Sequence, residues 1–275
     1  MTGADGLLGS VARKHASYAT GRREADVADL EALRSFVSRN PGITHIVNCA
    51  AFSLVDLAET HREEAHKANA LGPENLGILA AEIGARILHI STDYVFPGTI
   101  FRPLKEEDPV QPCSYYGSTK LEGEQRLLKV NPDACIIRTS WIFGRGGKNF
   151  VAKLLEMMQQ QEEIRLTNDY WNLPTYAEDL SEAILKMLDA SGIYHFANSG
   201  AANKYEFGLA MKEEAEAAGY KIAANKILPV PGSTFPSPAS RPVYSVFDTS
   251  KIEKVLGAIR PWREALREYL HGAAS

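Results

Sequence analysis

The chain has 275 residues, of which 45% are hydrophobic and 23% are charged, values typical of a soluble globular protein. That length suits one large α/β domain, or a core domain with a smaller lobe attached. The formal net charge of −4 does not support a nucleic-acid-binding surface, and no apolar run reaches the roughly 20 residues of a membrane span, so we expect neither partner.

The chain begins with a glycine-rich pattern. Residues 2–9 read T-G-x-x-G-x-x-G, with Gly3 and Gly6 opening the pattern and Leu7 and Leu8 following. Glycines at this spacing permit a tight turn and close approach of the backbone to a pyrophosphate, and the next helix directs its first amides at that anion. The pattern predicts a dinucleotide-binding loop, although a plain turn at a helix start would show the same spacing.

A phosphate-binding loop of this kind normally follows a buried apolar strand, usually the central one of the sheet. Only Met1 and Thr2 precede Gly3 here. Either the recorded start lies downstream of the true one, or the sheet has lost a central strand. Such a loss would expose the strands on either side and remove support beneath the loop, so we favour a truncated or misassigned start.

Arginines follow the expected second strand, in the segment that begins with Thr20 and Gly21. An acidic residue at this place would bind the ribose 2′-hydroxyl of NAD, whereas arginine suits the 2′-phosphate of NADP. Arg22 and Arg23 therefore favour NADPH as the cofactor, with NADH as the alternative. A solvated loop with no cofactor contact would have the same composition.

Apolar runs of strand length then alternate with longer helical segments. We predict strands at residues 45–50, 86–91 and 134–138, and helices at residues 63–82 and 118–129. Continuous apolar strands separated by helices indicate a parallel sheet covered on both faces. The predicted fold is α/β with a doubly wound parallel sheet, Rossmann-type, apparently lacking its first strand, and with a smaller C-terminal substrate lobe.

The character of the chain changes after Gly144. We predict helices at residues 150–160, 177–188 and 262–270, and a surface loop at residues 227–242, which are rich in proline and serine. The expected dinucleotide-binding core comprises residues 1–150 and about 173–196. The expected substrate-binding lobe and closing helix comprise about 151–172 and 197–275.

Tyr116 and Lys120 form a Y-x-x-x-K motif near the start of a predicted helix. The i, i+4 spacing places both side chains on one helix face. A free tyrosine has a pKa of about 10, and a nearby lysine cation lowers that value by favouring the phenolate. Tyr116 could then donate a proton to a carbonyl oxygen as hydride reaches the carbon, while Lys120 holds the nicotinamide ribose.

A hydroxyl group lies at the predicted end of a neighbouring strand. Thr92 and Asp93 follow the apolar run that ends at Ile90. Because the carboxyl ends of parallel strands form the ligand crevice, Thr92 is placed to hydrogen-bond a substrate carbonyl. The glycine loop, this hydroxyl and the Y-x-x-x-K motif occur in the order expected of a reductase, which favours a shared active site over unrelated surface features.

The three cysteines give no sign of a disulfide framework or a zinc site. Cys49, Cys113 and Cys135 are odd in number and lack C-x-x-C spacing, and the first and last lie in apolar runs. The N-terminus has neither the basic nor the apolar region of a signal peptide. We therefore expect a cytoplasmic protein with no metal ligands.

Six stretches together resemble the extended short-chain dehydrogenases/reductases, and specifically the dTDP-4-dehydrorhamnose reductase family. The resemblance covers nearly the whole chain. The stretches are residues 48–52, 91–98, 115–124, 138–144, 148–150 and 238–242. The resemblance implies reduction of the 4-keto group of dTDP-4-dehydrorhamnose to dTDP-L-rhamnose with hydride from NAD(P)H. A dTDP-sugar is then the expected substrate, and a homodimer is left open.

By the same resemblance, several residues acquire expected roles. Thr92, Tyr116 and Lys120 would be catalytic. The cofactor would contact Gly3, Gly6, Leu7, Leu8, Arg22, Asp26, Val27, Ala50, Ala51, Tyr116 and Lys120. The sugar nucleotide would contact Thr92, Asp93, Trp141, Asn149 and Arg241. An arginine fork is chemically suited to a diphosphate, although Arg241 could equally form a surface ion pair and Trp141 could serve in core packing.

Two substrate-side positions depart from the family pattern. Residues 170–175 stand where Q-x-G-x-P-T is usual, and Tyr244 stands where asparagine is usual.

Proteins with other functions share parts of this pattern. A sugar-nucleotide dehydratase of this fold carries Asp-Glu after the threonine, but Asp93 is followed by Tyr94, which leaves epimerases and other reductases as the closer enzyme alternatives. The non-catalytic regulatory β-subunit of methionine adenosyltransferase shares the fold and several motifs, and is the alternative from a different class.

Overall fold

The computed structural model describes residues 1–146 and 149–273, so Lys148 of the 148–150 stretch lies outside the described residues. The helices are α1 (Leu7–Ala12), α2 (Leu30–Arg39), α3 (Val55–Ala58), α4 (Arg62–His66), α5 (Gly72–Ile83), α6 (Tyr115–Val130), α7 (Phe150–Gln160), α8 (Ala177–Lys186), α9 (Lys204–Ala217), α10 (Ser250–Leu256) and α11 (Trp262–Ala273). The strands are β1 (His45–Asn48), β2 (Arg86–Thr92), β3 (Cys135–Thr139), β4 (Ile142–Phe143), β5 (Glu163–Thr167), β6 (Thr175–Tyr176), β7 (Gly192–His195) and β8 (Lys226–Val230).

The main sheet is parallel and has the order β1-β2-β3-β7, which confirms the predicted α/β class. Side chains alternate between its two faces, as the pleat of a strand requires. On one face Leu88 and Ile137 pack with α8, and on the other Ile87 and Ile136 pack with α5 and α6. The predicted strands at residues 45–50, 86–91 and 134–138 correspond to β1, β2 and β3 to within two residues at each end.

The predicted helix at residues 63–82 is interrupted. Residues Lys67–Leu71 form a π-helical turn between α4 and α5. This turn lies against α6 at Gly123, where a Cβ would collide with the carbonyl oxygen of Asn69. Glycine at this position therefore brings α6, which carries Tyr116 and Lys120, close to the sheet-covering helices.

The sheet continues beyond β1 by one residue. Thr2 forms parallel bridges with both Thr20 and Asn48, its N–H donating to the carbonyl of Val47 at 2.9 Å. A short stretch ending at Gly3 thus occupies the place of the expected first strand. Below Thr2 an apolar groove of about 1130 Å³ follows β1 between α2 and α8. We call it the edge groove; its apolar lining includes Leu33, Phe36, Leu76, Leu79, Ile184 and Leu188.

The later part of the chain builds a second apolar cluster from α7, β5, α9 and α11. Among its buried side chains are Leu154, Leu166, Phe207 and Leu266. The prediction of an unbroken loop at residues 227–242 is wrong, because β8 pairs in parallel with β5. Ile227 packs against this cluster, which favours an extended conformation for the segment. Pro229 is tolerated because each strand of a two-stranded sheet has one edge without a partner strand.

The remaining helices agree with the sequence-based predictions. The helix predicted at residues 150–160 is α7, with the same bounds, and those predicted at 177–188 and 262–270 are α8 and α11. No helix among the described residues is long and apolar enough to cross a membrane.

Candidate active site

The glycine-rich start forms a tight turn beside the end of β1. Gly3 has φ 72°, and a Cβ there would lie 2.5 Å from the backbone nitrogen of Ala50. A Cβ at Gly9 would collide with the carbonyl oxygen of Gly3. The turn therefore needs glycine both for its left-handed backbone and for close packing, and it leads directly into α1. A turn of this kind can hold a pyrophosphate against the first amides of the helix.

A groove of about 790 Å³ opens next to this turn. Many of the predicted cofactor contacts line it: Gly3, Gly6, Arg22, Asp26, Val27, Ala50 and Ala51. Arg22 donates to Asp26 at 3.2 Å, so one guanidinium and one carboxylate lie side by side in the lining of this groove. The arrangement fits a dinucleotide, with the glycine turn for the phosphates and Arg22 available to a 2′-phosphate.

Leu7 and Leu8 have a different position. Both belong to the first turn of α1, but neither lines the groove, and the Leu8 side chain is buried in the cluster on one face of the main sheet. A cofactor contact from these residues would have to come from the backbone rather than from the side chains.

The predicted catalytic residues meet at the carboxyl end of β2. Thr92 ends β2, and its side chain lies close enough to the Tyr116 phenol to lower the pKa of that group. Tyr116 lies in the first turn of α6, which begins earlier than the predicted residue 118 because Ser114 caps it by accepting from Gly117 N at 3.2 Å. The ring of Tyr94 meets the Tyr116 ring edge-on at 5.5 Å. Strand end and helix start thus hold Thr92 and Tyr116 together.

The structure does not show the expected acidification of Tyr116 by Lys120. Burial raises the pKa of Tyr116 to about 12, and the neighbouring Thr92 side chain opposes this rise only in part. No hydrogen bond joins Tyr116 to Lys120 in residues 1–146 and 149–273. The i, i+4 spacing sets the helix face but not the direction of a long side chain, and Lys120 points toward the backbone of β2.

Lys120 is almost completely buried, with 1% of its surface exposed. Its Nζ donates to the carbonyl of Ile90 at 2.7 Å and lies 3.3 Å from His89 Nε2. Burial is the main reason that the pKa of Lys120 falls to about 8, while Glu124 and Cys49 act in the opposite direction. Lys120 is therefore an amine that changes charge close to neutral pH.

A buried ion pair lies one turn further along α6. Glu124 accepts from Arg138 at 2.7 Å and from Ser91 Oγ at 2.5 Å, and both charged side chains are at most 3% exposed. A pair of this kind adds little net stability when intact, but removing one partner leaves an uncompensated charge and costs about 3–5 kcal/mol. It fixes α6 to β2 and β3 behind the catalytic residues.

Asp93 is buried directly after Thr92. Its carboxyl accepts from Thr92 Oγ1 at 3.1 Å and from Ser245 Oγ at 2.6 Å. Burial nevertheless raises its pKa to about 6. Ser245 belongs to the C-terminal part of the chain, so Asp93 ties the end of β2 to the segment that carries the predicted substrate contacts.

Two of those predicted contacts have structural roles in this state. Asn149 caps α7, accepting from Ala152 N at 3.0 Å and donating to the carbonyl of Gly144 at 3.0 Å. Trp141 has φ 42°, and its ring contacts that of Phe207 at 4.9 Å. Trp141 thus lies at a strained turn at the edge of the second cluster, and its side chain remains partly exposed.

Arg241 lies on the loop that follows β8, near enough to Tyr94 to lower the pKa of that phenol against the effect of burial. It donates to Asp56 Oδ2 at 2.9 Å and also bonds Ser237, and both ion-pair partners are partly exposed. The half-buried amine of Lys204 lies near enough for Arg241 to lower its pKa, second to the effect of burial. We call this group, Asp56, Lys204, Ser237 and Arg241, the ionic strap. Its two cations suit a diphosphate.

Sequence reasoning missed several residues of the site. His89, Ser114 and Ser245 support the catalytic groups, and Asp56 and Lys204 belong to the ionic strap. His89 reads as one buried position of an apolar strand, so nothing in the local sequence marks it. Ser114 could have been found, since serine before a helix is a typical N-cap.

The family model described as the RmlD substrate binding domain matches residues 1–274. Spore coat polysaccharide biosynthesis protein SpsK of Bacillus subtilis is 40% identical over 283 residues, which cover 100% of this chain and 97% of that protein.

Solved structures agree with these sequence matches. A dTDP-4-dehydrorhamnose reductase from Clostridium acetobutylicum aligns with TM-score 0.93 and 34% identity, covering 100% of this chain and 98% of that one. One from Bacillus anthracis, in complex with NADP, aligns with TM-score 0.90 and 31% identity, covering 98% and 96%. Similarity of this extent decides family membership as well as fold.

Proposed function

This chain belongs to the RmlD substrate binding domain family, and from that premise we propose that it reduces the 4-keto group of a dTDP-4-keto-6-deoxyhexose with hydride from NADPH. The observation that carries the proposal is the meeting of Thr92 and Tyr116 at the end of β2, with Lys120 behind them and the glycine-lined groove beside them. A dTDP-4-dehydrorhamnose reductase with a similar structure has been solved in complex with NADP.

NADPH, when bound, supplies the hydride. We assign the glycine turn at Gly3 and Gly6 to its pyrophosphate and Arg22 to its 2′-phosphate, since these groups line one groove. Thr92 is assigned to orient the sugar carbonyl and Tyr116 to donate the proton to its oxygen, because general acid catalysis needs a donor within hydrogen-bond reach. The high pKa of Tyr116 keeps it protonated as a donor near neutral pH.

Lys120 is assigned a supporting role in that proton transfer. A lysine cation beside the ribose would favour the phenolate that Tyr116 becomes once it has given up its proton. Its amine contacts the carbonyl of Ile90 and the ring of His89, on the side of β2 that faces α6.

The sugar nucleotide is assigned to the space between Asp93 and the ionic strap. Arg241 and Lys204 supply two positive charges for a diphosphate, and Trp141 offers a partly exposed ring at the other side. Residues 1–150 and about 173–196 would then form the cofactor-binding core, with residues of about 151–172 and 197–275 closing over the sugar.

The test is the reaction itself. Purified chain is mixed with NADPH and a dTDP-4-keto-6-deoxyhexose, and the loss of absorbance at the nicotinamide band is compared with the dTDP-6-deoxysugar formed. Stoichiometric conversion supports the proposal. Tight NADPH binding with no conversion of any dTDP- or UDP-linked 4-keto sugar would contradict it and favour a non-catalytic binding protein.

A further inference from the structure

A row of four buried polar side chains connects the N-terminal residues with the amine of Lys120. Thr2 Oγ1 donates to Asn48 Oδ1 at 2.8 Å, and Asn48 Nδ2 lies 3.0 Å from His89 Nδ1. His89 Nε2 in turn lies 3.3 Å from Lys120 Nζ. Asn48 and His89 are fully buried, and Thr2 and Lys120 are nearly so. Water therefore cannot exchange freely with any member of this row.

The orientation of the Asn48 amide is decided by the backbone. The N–H of Ala50 donates to Asn48 Oδ1 at 3.0 Å. A backbone N–H can only donate, so the amide oxygen must face Ala50, and the amide nitrogen must face His89. Turning the amide round would leave two donors facing each other inside the protein, which costs about 1–3 kcal/mol.

The amide in turn decides which ring nitrogen of His89 carries the proton. Since Asn48 Nδ2 can only donate, His89 Nδ1 must accept and therefore carries no hydrogen. Burial lowers the pKa of His89 well below its usual value, so the ring is neutral and its single proton is on Nε2. That N–H points at Lys120 Nζ.

An N–H directed at an amine discriminates between the two charge states of the amine. The neutral amine has a lone pair and accepts from Nε2–H, whereas the ammonium presents only donors. We propose that His89 is a positioning residue that, held in one tautomer by Asn48, presents its Nε2–H to Lys120 and so favours the neutral amine. The tautomer of His89 and its effect on the charge of Lys120 do not depend on the function assigned above. Only the consequence for the reaction rests on that proposed function.

The other charged and titratable groups around Lys120 act in the opposite direction. Glu124, one turn further along α6, and the Cys49 thiol at the end of β1 both favour the ammonium. Glu124 is already paired with Arg138, which weakens its influence. Tyr116 precedes Lys120 by one turn of α6 and stays neutral near neutral pH, since its pKa is about 12. Burial lowers the pKa of Lys120 against the effects of both Glu124 and Cys49. In the proposal, the His89 N–H adds to the effect of burial.

This device has a consequence for the reaction. The ammonium form of Lys120 is the one assigned to support Tyr116, so activity should fall as the pH rises past the point at which the amine loses its proton. His89 sets that point lower than burial alone would.

The tautomer can be measured without substrate or cofactor. Nitrogen-15 NMR of the ring nitrogens separates protonated from unprotonated positions, and the signals of His89, one of seven histidines, are identified by their loss in His89→Gln. We expect a neutral ring with the proton on Nε2 at pH 7. A proton on Nδ1, or on both nitrogens, would overturn the proposal while leaving the reductase function untouched.

Two variants at Asn48 test the coupling to Lys120. In Asn48→Asp the carboxylate accepts from Nδ1–H, so the tautomer should reverse and the ring should accept from the ammonium. In Asn48→Ala the constraint on the tautomer is removed and no charge is added. The alkaline limb of the pH–kcat/KM profile should move upward in both, by about one unit or more in Asn48→Asp.

Circular dichroism and unfolding curves show whether each Asn48 variant is folded. If a variant does not fold, the tautomer measurement on the parent protein still tests the proposal. An unmoved alkaline limb in folded Asn48→Ala, with the tautomer released, would overturn the coupling. An upward shift in Asn48→Asp alone would show that added charge, rather than the tautomer, governs Lys120.

Discussion

The two sides of the candidate site are built in different ways. On the catalytic side Thr92, Tyr116 and Lys120 are buried. Hydrogen bonds hold the side chains of Thr92 and Lys120, and the ring of Tyr94 packs edge-on against that of Tyr116. On the opposite side the ionic strap joins Asp56, on a short helix, to Arg241, on a loop, and both are partly exposed. Interior groups can be held in one geometry, whereas a partly exposed ion pair can exchange Asp56 for a ligand anion at little cost.

This difference predicts which substitutions should affect catalysis and which should affect substrate affinity. A substitution on the buried side should alter the rate or the stability strongly, because no water can replace the lost group. A substitution in the ionic strap should alter mainly the affinity for the sugar nucleotide. Three substitutions test that division.

The largest effect is expected from Tyr116→Phe. The change removes the one hydroxyl assigned as proton donor, and general acid catalysis is typically worth about 10²–10⁴-fold in rate. We expect kcat to fall by about that factor while the affinity for NADPH, measured by quenching of protein fluorescence, stays within about twofold.

Tyr115→Phe is the matched control for this variant. Tyr115 is adjacent in α6, but its ring lies under the guanidinium of Arg62 at 4.7 Å rather than beside Thr92. Near-parental turnover is expected from the control. Equal loss in both variants would mean that the phenol of Tyr116 has no special part in the reaction.

An intermediate effect, on stability, is expected from Asp93→Asn. Burial raises the pKa of Asp93 to about 6 from its usual 3.8, so the folded state binds a proton more tightly than the unfolded state. The stability that this proton confers is complete below about pH 4 and is lost as the pH rises through 6. Above that pH the buried carboxylate costs roughly 2–3 kcal/mol, which the amide avoids.

The measurement is urea unfolding of parent and variant between pH 4 and 8. The variant should gain about 2 kcal/mol over the parent at pH 8 and gain little near pH 4. A difference that does not change with pH would show that Asp93 is not a destabilising buried charge. Weaker binding of the sugar nucleotide in the same variant would agree with its assigned contact.

The smallest effect is expected from Arg241→Gln. Its exposed ion pair with Asp56 contributes roughly 0.2–1 kcal/mol to folding, so the unfolding midpoint should hardly move. Loss of a cation assigned to the diphosphate should raise KM for the dTDP-sugar about tenfold, with kcat nearly unchanged. Steady-state kinetics with NADPH at saturation measure both constants.

Arg126→Gln serves as the comparison for Arg241. Arg126 forms a similar pair with Glu74 at 2.7 Å and has similar exposure, but it lies on α6 away from the ionic strap. Its KM should equal that of the parent. A rise in KM of the same size in Arg126→Gln would assign the effect to general surface charge.

The buried side was also the easier one to predict from sequence. Apolar runs located β1, β2 and β3, and the spacing of Tyr116 and Lys120 with Thr92 before them located the chemistry. Local patterns do not report where a long side chain turns, which is why the hydrogen bond from Lys120 to the carbonyl of Ile90 was not predicted. His89 was missed for a related reason, since its partners come from β1 and α6.

The ionic strap and β8 lay beyond local patterns. Arg241 was identified only through family resemblance, and its partner Asp56 is 185 positions away in the chain. Proline and serine in residues 227–242 indicated a loop, yet Ile227 is fixed by tertiary packing against the second cluster. Asn149 was expected at the sugar from the resemblance alone, and its role as the cap of α7 was not predicted, although asparagine is typical before a helix.

The outer edge of β1 lies beside the glycine turn. Within residues 1–146 and 149–273, only Thr2 forms backbone hydrogen bonds with this edge. The edge groove runs below it. A strand added here would pair with the outer backbone groups of β1 and cover the edge groove, so the main sheet would be lengthened directly behind the turn that begins after Thr2.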